Sequence, residues 1–133
     1  MGLDQYAFIN PREEKRTDDE GKEYTVKFAQ KDFYWRKHSR LQTFMEKRWV
    51  EKTGKDAVEL NCQDMELNRE DIIALVKAVN NGYADDFCEG GFFYGHQFQE
   101  QIVQEEKTTD LHFCEEALQA LDDGQKVIYH CWW

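Results

Sequence analysis

The chain has 133 residues, 41% hydrophobic and 14% aromatic, with 27 acidic against 17 basic side chains and a formal net charge of −10. That size and aromatic content describe one folded domain with its own core and exclude a disordered chain. No apolar run approaches the roughly 20 residues of a bilayer-spanning helix, and a pI near 4.8 argues against nucleic acid as a partner.

Charge is unevenly spread. Residues 33–55 carry 7 basic and 2 acidic groups, whereas 56–133 carry 4 and 17. Such asymmetry bears on partners and solubility, not on fold. The N-terminus lacks a basic-then-apolar leader pattern, so a cytoplasmic protein is expected. Cys62, Cys88, Cys114 and Cys131 stand singly, without CxxC spacing, and are expected to be reduced and half-buried.

In chain order, 2–9 reads as a strand with Tyr6 and Phe8 on one face and Leu3, Ala7 and Ile9 on the other. Apolar groups on both faces predict a central strand. The charged stretch 10–23, with the only proline, reads as a solvated loop or hairpin tip. A second strand over 24–30 is expected to turn Tyr24, Val26 and Phe28 inward. Residues 32–54 read as a helix capped by Asp32 and stopped by Gly54, with Tyr34, Trp35, His38, Leu41, Met45 and Trp49 as its core stripe. Arg36, Arg40 and Lys47 then form a basic strip on another face, beside Phe44.

Val58, Leu60 and Cys62 at period two predict a third extended segment over 57–67. Asn68 with Asp71 three residues on is a helix start, and Asn81-Gly82 its stop. Residues 83–98 break the pattern with three glycines in six residues. A helix over 108–124 puts Leu111, Cys114, Leu118 and Leu121 on one face, and 126–133 reads as a strand buried on both sides. On that reading Trp132 and Trp133 are interior. The fold class is α+β, with one small mixed or antiparallel sheet, about three helices, and the N- and C-terminal strands central.

The segments "MGLDQY", "YWRK" (34–37), "GFFYG" (91–95) and "YHCWW" (129–133) occur in that order. This layout resembles a family of small phage and prophage proteins that begin Met-Gly-Leu-Asp. In that family a helix opens with Tyr-Trp-Arg-Lys, a Gly-aromatic-Gly loop follows, and the chain finishes on a short motif ending in Trp. The resemblance covers nearly the whole chain and implies a phage setting and a shared fold, with no reaction attached. His38-Ser39 stand where the family more often has Ala-Asn, and Cys131-Trp132 where it more often has two serines.

Catalytic and metal signatures are absent: there is no GxSxG, HExxH or phosphate-binding loop. His130 and Cys131 are neighbours on a strand, so they point to opposite faces and cannot form a nucleophile–base pair. His96, His112, His130, Cys88 and Asp85-Asp86 supply metal-ligand types without ligand spacing. The pattern therefore points to a binding protein without cofactor or metal, whose partner is a small polar ligand or a host protein. The site is expected where the first strand, the first helix, the glycine loop and the last strand meet, at Asp4, Trp35, Arg36, Tyr94, His96 and His130. Two other functions fit the composition: an acidic inhibitor of a host nuclease or defence complex, using carboxylates between Asp85 and Asp123, and a small enzyme acting on nucleotides or other phosphates through Arg36 and His130. An exposed Phe44 would favour a homodimer through the first helix.

Overall fold

A computed structural model describes residues 2–86 and 99–133 of the chain. The strands are β1 (Asp4–Thr17), β2 (Glu23–Arg36), β3 (Asp64–Leu67) and β4 (Val127–Trp132). The helices are α1 (Ser39–Thr53), α2 (Arg69–Asn80) and α3 (Gln99–Asp122), with one 3-10 turn at Ala57–Leu60. The four strands form one sheet in the order β2-β1-β4-β3, antiparallel throughout, so the two terminal strands are central as the sequence predicts. No helix among the described residues is long and apolar enough to cross a membrane.

The alternation along each strand decides which face is covered. Leu3, Ala7 and Ile9, Phe33 and Trp35, Met65 and Leu67, and Val127, Tyr129 and Cys131 are all buried against the helices. Leu41, Met45 and Trp49 of α1, Ile72, Leu75 and Val79 of α2, and Phe113, Ala117 and Ala120 of α3 meet them from the other side. Phe113 sets its ring edge-on to Phe33 and Trp35, with centroids 5.3 and 5.5 Å apart, an arrangement that adds to area burial. Every helix among the described residues lies over this one face, and none of them covers the other face of the sheet.

Two expectations about the first half of the chain are corrected. The helix does not begin at Asp32. Phe33, Tyr34 and Trp35 continue β2, because alternating aromatic residues pack well on a pleated surface. The strand ends at Arg36, Lys37 takes the left-handed conformation (φ 55°), and His38 caps α1 by accepting the Leu41 N–H. Tyr34 consequently leaves the core stripe and is 50% exposed. The stretch 10–17 is not a loop either. β1 and β2 stay paired as far as Thr17 and Glu23, forming a long arm that runs past the helical layer. Tyr24 and Phe28 on this arm are exposed instead of facing a core.

The basic strip dissolves for the same reason. Arg36 sits on β2, Arg40 donates to the carbonyls of Gly82 and Tyr83, and Lys47 reaches the Asp85 carbonyl and the Asp86 carboxylate. Phe44 is buried, which removes the premise of a dimer through α1. In the third segment only 64–67 is strand; Val58 is exposed on the 3-10 turn. Trp132 is 46% exposed and Trp133 half-buried, so β4 is covered on one face and not on both. The glycine loop lies outside the described residues.

The start of α2 carries out its sequence signature. Asn68 accepts the Asp71 N–H, and the Asp71 carboxylate accepts the Asn68 N–H, each at 2.9 Å. Asp71 also holds Arg48 and Lys52 of α1, clamping the two helices. Burial alone would raise the Asp71 pKa, but the bonds from Lys52, the Asn68 backbone and Arg48 outweigh it and hold the carboxyl below its ordinary value of 3.8. A depressed carboxyl stabilises the fold above its unfolded pKa and loses that contribution as pH falls through the folded one. Asp71→Asn is expected to cost about 1–3 kcal/mol at neutral pH. In urea titrations the gap to the parent protein narrows as pH drops below about 4; a gap constant down to acid pH contradicts the clamp.

Candidate functional site

Two polar assemblies stand out, one on each side of the sheet. The first is buried. Asp110 of α3 is 1% exposed and accepts three hydrogen bonds: from Trp35 Nε1 (2.7 Å), His38 Nε2 (2.8 Å) and the Tyr83 hydroxyl (2.7 Å). His38 Nδ1 accepts the Leu41 N–H, so the network assigns the ring proton to Nε2. Next to it, Gln5 bridges the backbone of His38 in both directions and receives no competition from water, being fully buried. Its amide also donates to the Tyr129 hydroxyl, which donates in turn to Gln42 at 2.5 Å. No buried side-chain polar atom among the described residues lacks a partner. Such a network fixes the geometry of a core and leaves none of its buried polar atoms without a partner.

Burial and the nearby Asp110 charge push the Tyr83 phenol well above its ordinary range. Burial likewise lifts the Cys114 and Cys131 thiols to about 12, leaving almost no thiolate at neutral pH. Neither cysteine is equipped as a nucleophile. His130 and Cys131 do point to opposite faces, Cys131 inward and His130 to the open side.

The second assembly lies on the uncovered face and follows from register. Asp4 pairs with Arg36 on one side and Trp132 on the other; Tyr6 with Tyr34 and His130; Phe8 with Asp32 and Ile128. His130 is opposite Asp64 of β3. Paired residues share a face, so these side chains form a grid of rows across the sheet. Tyr6 and Tyr34 rings are 5.1 Å apart, and Tyr6 and His130 6.4 Å. The Tyr34 hydroxyl donates to Asp4, and that bond is the main cause of its raised pKa. His130 Nδ1 lies 2.8 Å from Asp64 Oδ1.

Of the six residues predicted from sequence, Asp4, Arg36 and His130 therefore meet on the open face. Trp35 faces the opposite way, into the core, where its indole N–H serves Asp110. Tyr94 and His96 lie outside the described residues. Sequence reasoning missed Tyr6, Tyr34, Asp64 and Trp132 as members of the same face. The signal was present: even-numbered residues of 4–8, 32–36 and 128–132 share one side once 32–36 is read as strand.

Arg36 makes no hydrogen bond or ion pair among the described residues, although it stands across from Asp4. No group of three or more His, Cys, Asp or Glu side chains able to hold a metal occurs among the described residues. Comparison with protein-family models, with curated proteins and with solved structures found no match for this chain.

The buried assembly carries a direct expectation. Asp110→Ala leaves three buried donors unpaired, at about 1–3 kcal/mol each, so the loss should be at least about 3 kcal/mol. Tyr83→Phe leaves the carboxylate two of its donors and should cost about 1–2 kcal/mol. Chemical denaturation of both variants checks the order; equal costs contradict a shared carboxylate.

Proposed function

We propose that the protein acts by binding, and that a small polar ligand sits on the uncovered sheet face at the Arg36, Asp4, His130 and Trp132 end. The observation that carries the reading is Arg36: a side chain with no hydrogen bond or ion pair among the described residues, in one cross-strand row with Asp4 and the exposed Trp132 and two residues along β2 from the exposed Tyr34. A planar fork with five donors next to aromatic faces suits recognition of a planar or anionic group. The three rows span about 15 Å by strand spacing, room for a small ligand. The phage setting and host cytoplasm implied by the sequence resemblance belong to this proposal.

One observation favours a second reading, hydrolysis of a phosphate ester. A carboxylate on His130 Nδ1 orients the ring and leaves Nε2 as its remaining acceptor, which is the arrangement of a general base. The acidic-inhibitor reading has less support, since several of its carboxylates are engaged internally. Asp110 is in the core, Asp86 is buried against Lys47, and Glu116 and Asp122 hold Lys31 and Arg69.

Intrinsic fluorescence tests the binding proposal, because Trp35 and Trp49 are buried while Trp132 is exposed. With a panel of nucleotides, sugar phosphates and amino acids, at least one compound should give a saturable change. Trp132→Phe should abolish that signal and Arg36→Gln should weaken binding about tenfold or more. An unaltered affinity in Arg36→Gln, or no saturable signal with any compound, contradicts the proposal. Release of inorganic phosphate that disappears in His130→Gln would instead establish the second reading.

A further inference from the structure

The arm built by the outer halves of β1 and β2 has two edges, and they differ. β4 pairs with β1 only from Asp4 to Ile9, and β2 is the outermost strand of the sheet. Past Ile9, then, no third strand among the described residues joins the arm on either side. A two-stranded ribbon is marginal in water; three or more strands are needed for independent stability. Along residues 11–17, β1 carries Pro11 and five consecutive charges from Arg12 to Arg16, the features that block pairing with another chain. Along residues 23–30, β2 has no proline, no positive φ and only two charges, Glu23 and Lys27. It holds instead Tyr24, Thr25, Val26 and Phe28, residue types that favour strands. One edge is blunted and the other is fit to pair.

The hydrogen-bond phase of β2 shows which backbone groups that edge offers. Asp18 donates its N–H to the Lys22 carbonyl at 3.0 Å, closing the hairpin with a bonded pair. Bonded and non-bonded pairs alternate along an antiparallel ladder. By the register, Arg16↔Tyr24 and Glu14↔Val26 are therefore bonded pairs, whereas Lys15↔Thr25 and Glu13↔Lys27 are not. Thr25 and Lys27 thus turn their N–H and C=O groups away from β1, toward the free edge. Between them run the side chains of Tyr24, Val26 and Phe28 on one face, the two aromatic residues exposed.

We infer that this edge pairs antiparallel with the same edge of a second copy of the chain, about a twofold axis at Val26. An isologous contact needs a patch complementary to itself, and this one is: an aromatic residue stands two places to either side of Val26. The axis sets Tyr24 opposite Phe28 of the second copy, Val26 opposite its own equivalent, and Thr25 opposite Lys27, whose outward backbone groups exchange both bonds. Aromatic and β-branched residues make favourable cross-strand pairs. Glu23 lies diagonal to Lys27 of the second copy, and no like charges stand directly opposite between residues 22 and 30. Moving the axis to Thr25 would oppose Phe28 to Lys22; moving it to Lys27 would oppose that cation to its own equivalent. With the axis at Val26 the tip of each arm reaches Lys31 of the other, where Glu116 of α3 meets the sheet, so the overlap ends where the helical layer starts. The two ribbons become one four-stranded sheet. Arg36 lies at the far end of β2, so the pairing is independent of the ligand proposed there.

Sedimentation velocity of the whole chain from about 5 µM to about 0.5 mM, with amide hydrogen exchange at both ends of the series, tests this. The protein should pass from monomer to dimer, and the Thr25 and Lys27 amides should gain about tenfold protection or more at the higher concentration. Val26→Lys, which opposes two cations at the axis, should weaken the dimer about tenfold or more. Thr25→Pro should do the same and keep the hairpin, because the N–H it removes points away from β1. Arg36→Gln should leave the dimer unchanged. A dispersed amide spectrum of each variant at low concentration shows that its fold is intact. A monomer throughout the series, a dimer that survives both arm substitutions, or a dimer lost in Arg36→Gln overturns the pairing. So does protection of Thr25 and Lys27 that is equal at both concentrations, which would put another segment of the same chain on that edge.

Discussion

The buried Asp110 carboxylate is the point from which the architecture is organised. It gathers the indole of Trp35 at the end of β2, the imidazole of His38 at the start of α1, and the phenol of Tyr83 just beyond α2. A carboxylate taken out of water is costly unless its lone pairs are filled, and here three donors from three separate parts of the chain fill them. The α3 helix, the end of the edge strand and the turn into α1 cannot shift independently without leaving a buried polar atom unpaired. A second chain of bonds, Gln5 to His38 and Tyr129 to Gln42, fastens the two central strands to α1 in the same way. Lys31 adds a peripheral fastening of α3 to β2 through Glu116.

This arrangement commits all three helices to one side of the sheet and determines what the other side is. Central strands usually carry apolar residues on both faces because both are covered. In β1 and β4 the second face holds Asp4, Tyr6 and Phe8 and Ile128, His130 and Trp132, large groups that are only partly shielded. Aromatic side chains with a polar tip tolerate such a position because the ring packs against its neighbours while the tip stays wet. The closing tryptophans fit the same account. Trp132 belongs to the open face, and Trp133 is anchored beside the 3-10 turn, its N–H donating to Asn61 Oδ1 at 3.0 Å.

Much of the fold was legible in the sequence, and the failures share a cause. The α2 helix was readable to its ends because Asn68, Asp71 and Asn81 are local signals, decided within a few residues. The C-terminal strand and its central position were readable from Val127 to Cys131. Residues 32–38 were not, because Tyr34, Trp35, His38 and Leu41 satisfy helical spacing as well as Phe33 and Trp35 satisfy alternation. The choice was made by pairing with Gln5, Ala7 and their neighbours some thirty residues away, which no local window contains. The arm was misread for a related reason: Tyr24, Val26 and Phe28 alternate as a half-buried strand does, yet no helix among the described residues covers them. Of the open face, Asp4, Arg36 and His130 were singled out through short motifs, and its aromatic members were hidden behind the helix assignment. Asp110 was indistinguishable by sequence from the surface carboxylates around it.

The central claim is that one polar hub locks every helix onto one face and leaves the other open. Hydroxyl-radical footprinting read by mass spectrometry tests this most directly, since it reports side-chain exposure residue by residue. The account predicts rapid oxidation of Tyr34 and Trp132 and protection of Trp35, Tyr83, Phe113 and Tyr129. Protection of Tyr34 and Trp132 together with oxidation of Trp35 and Tyr83 would contradict it.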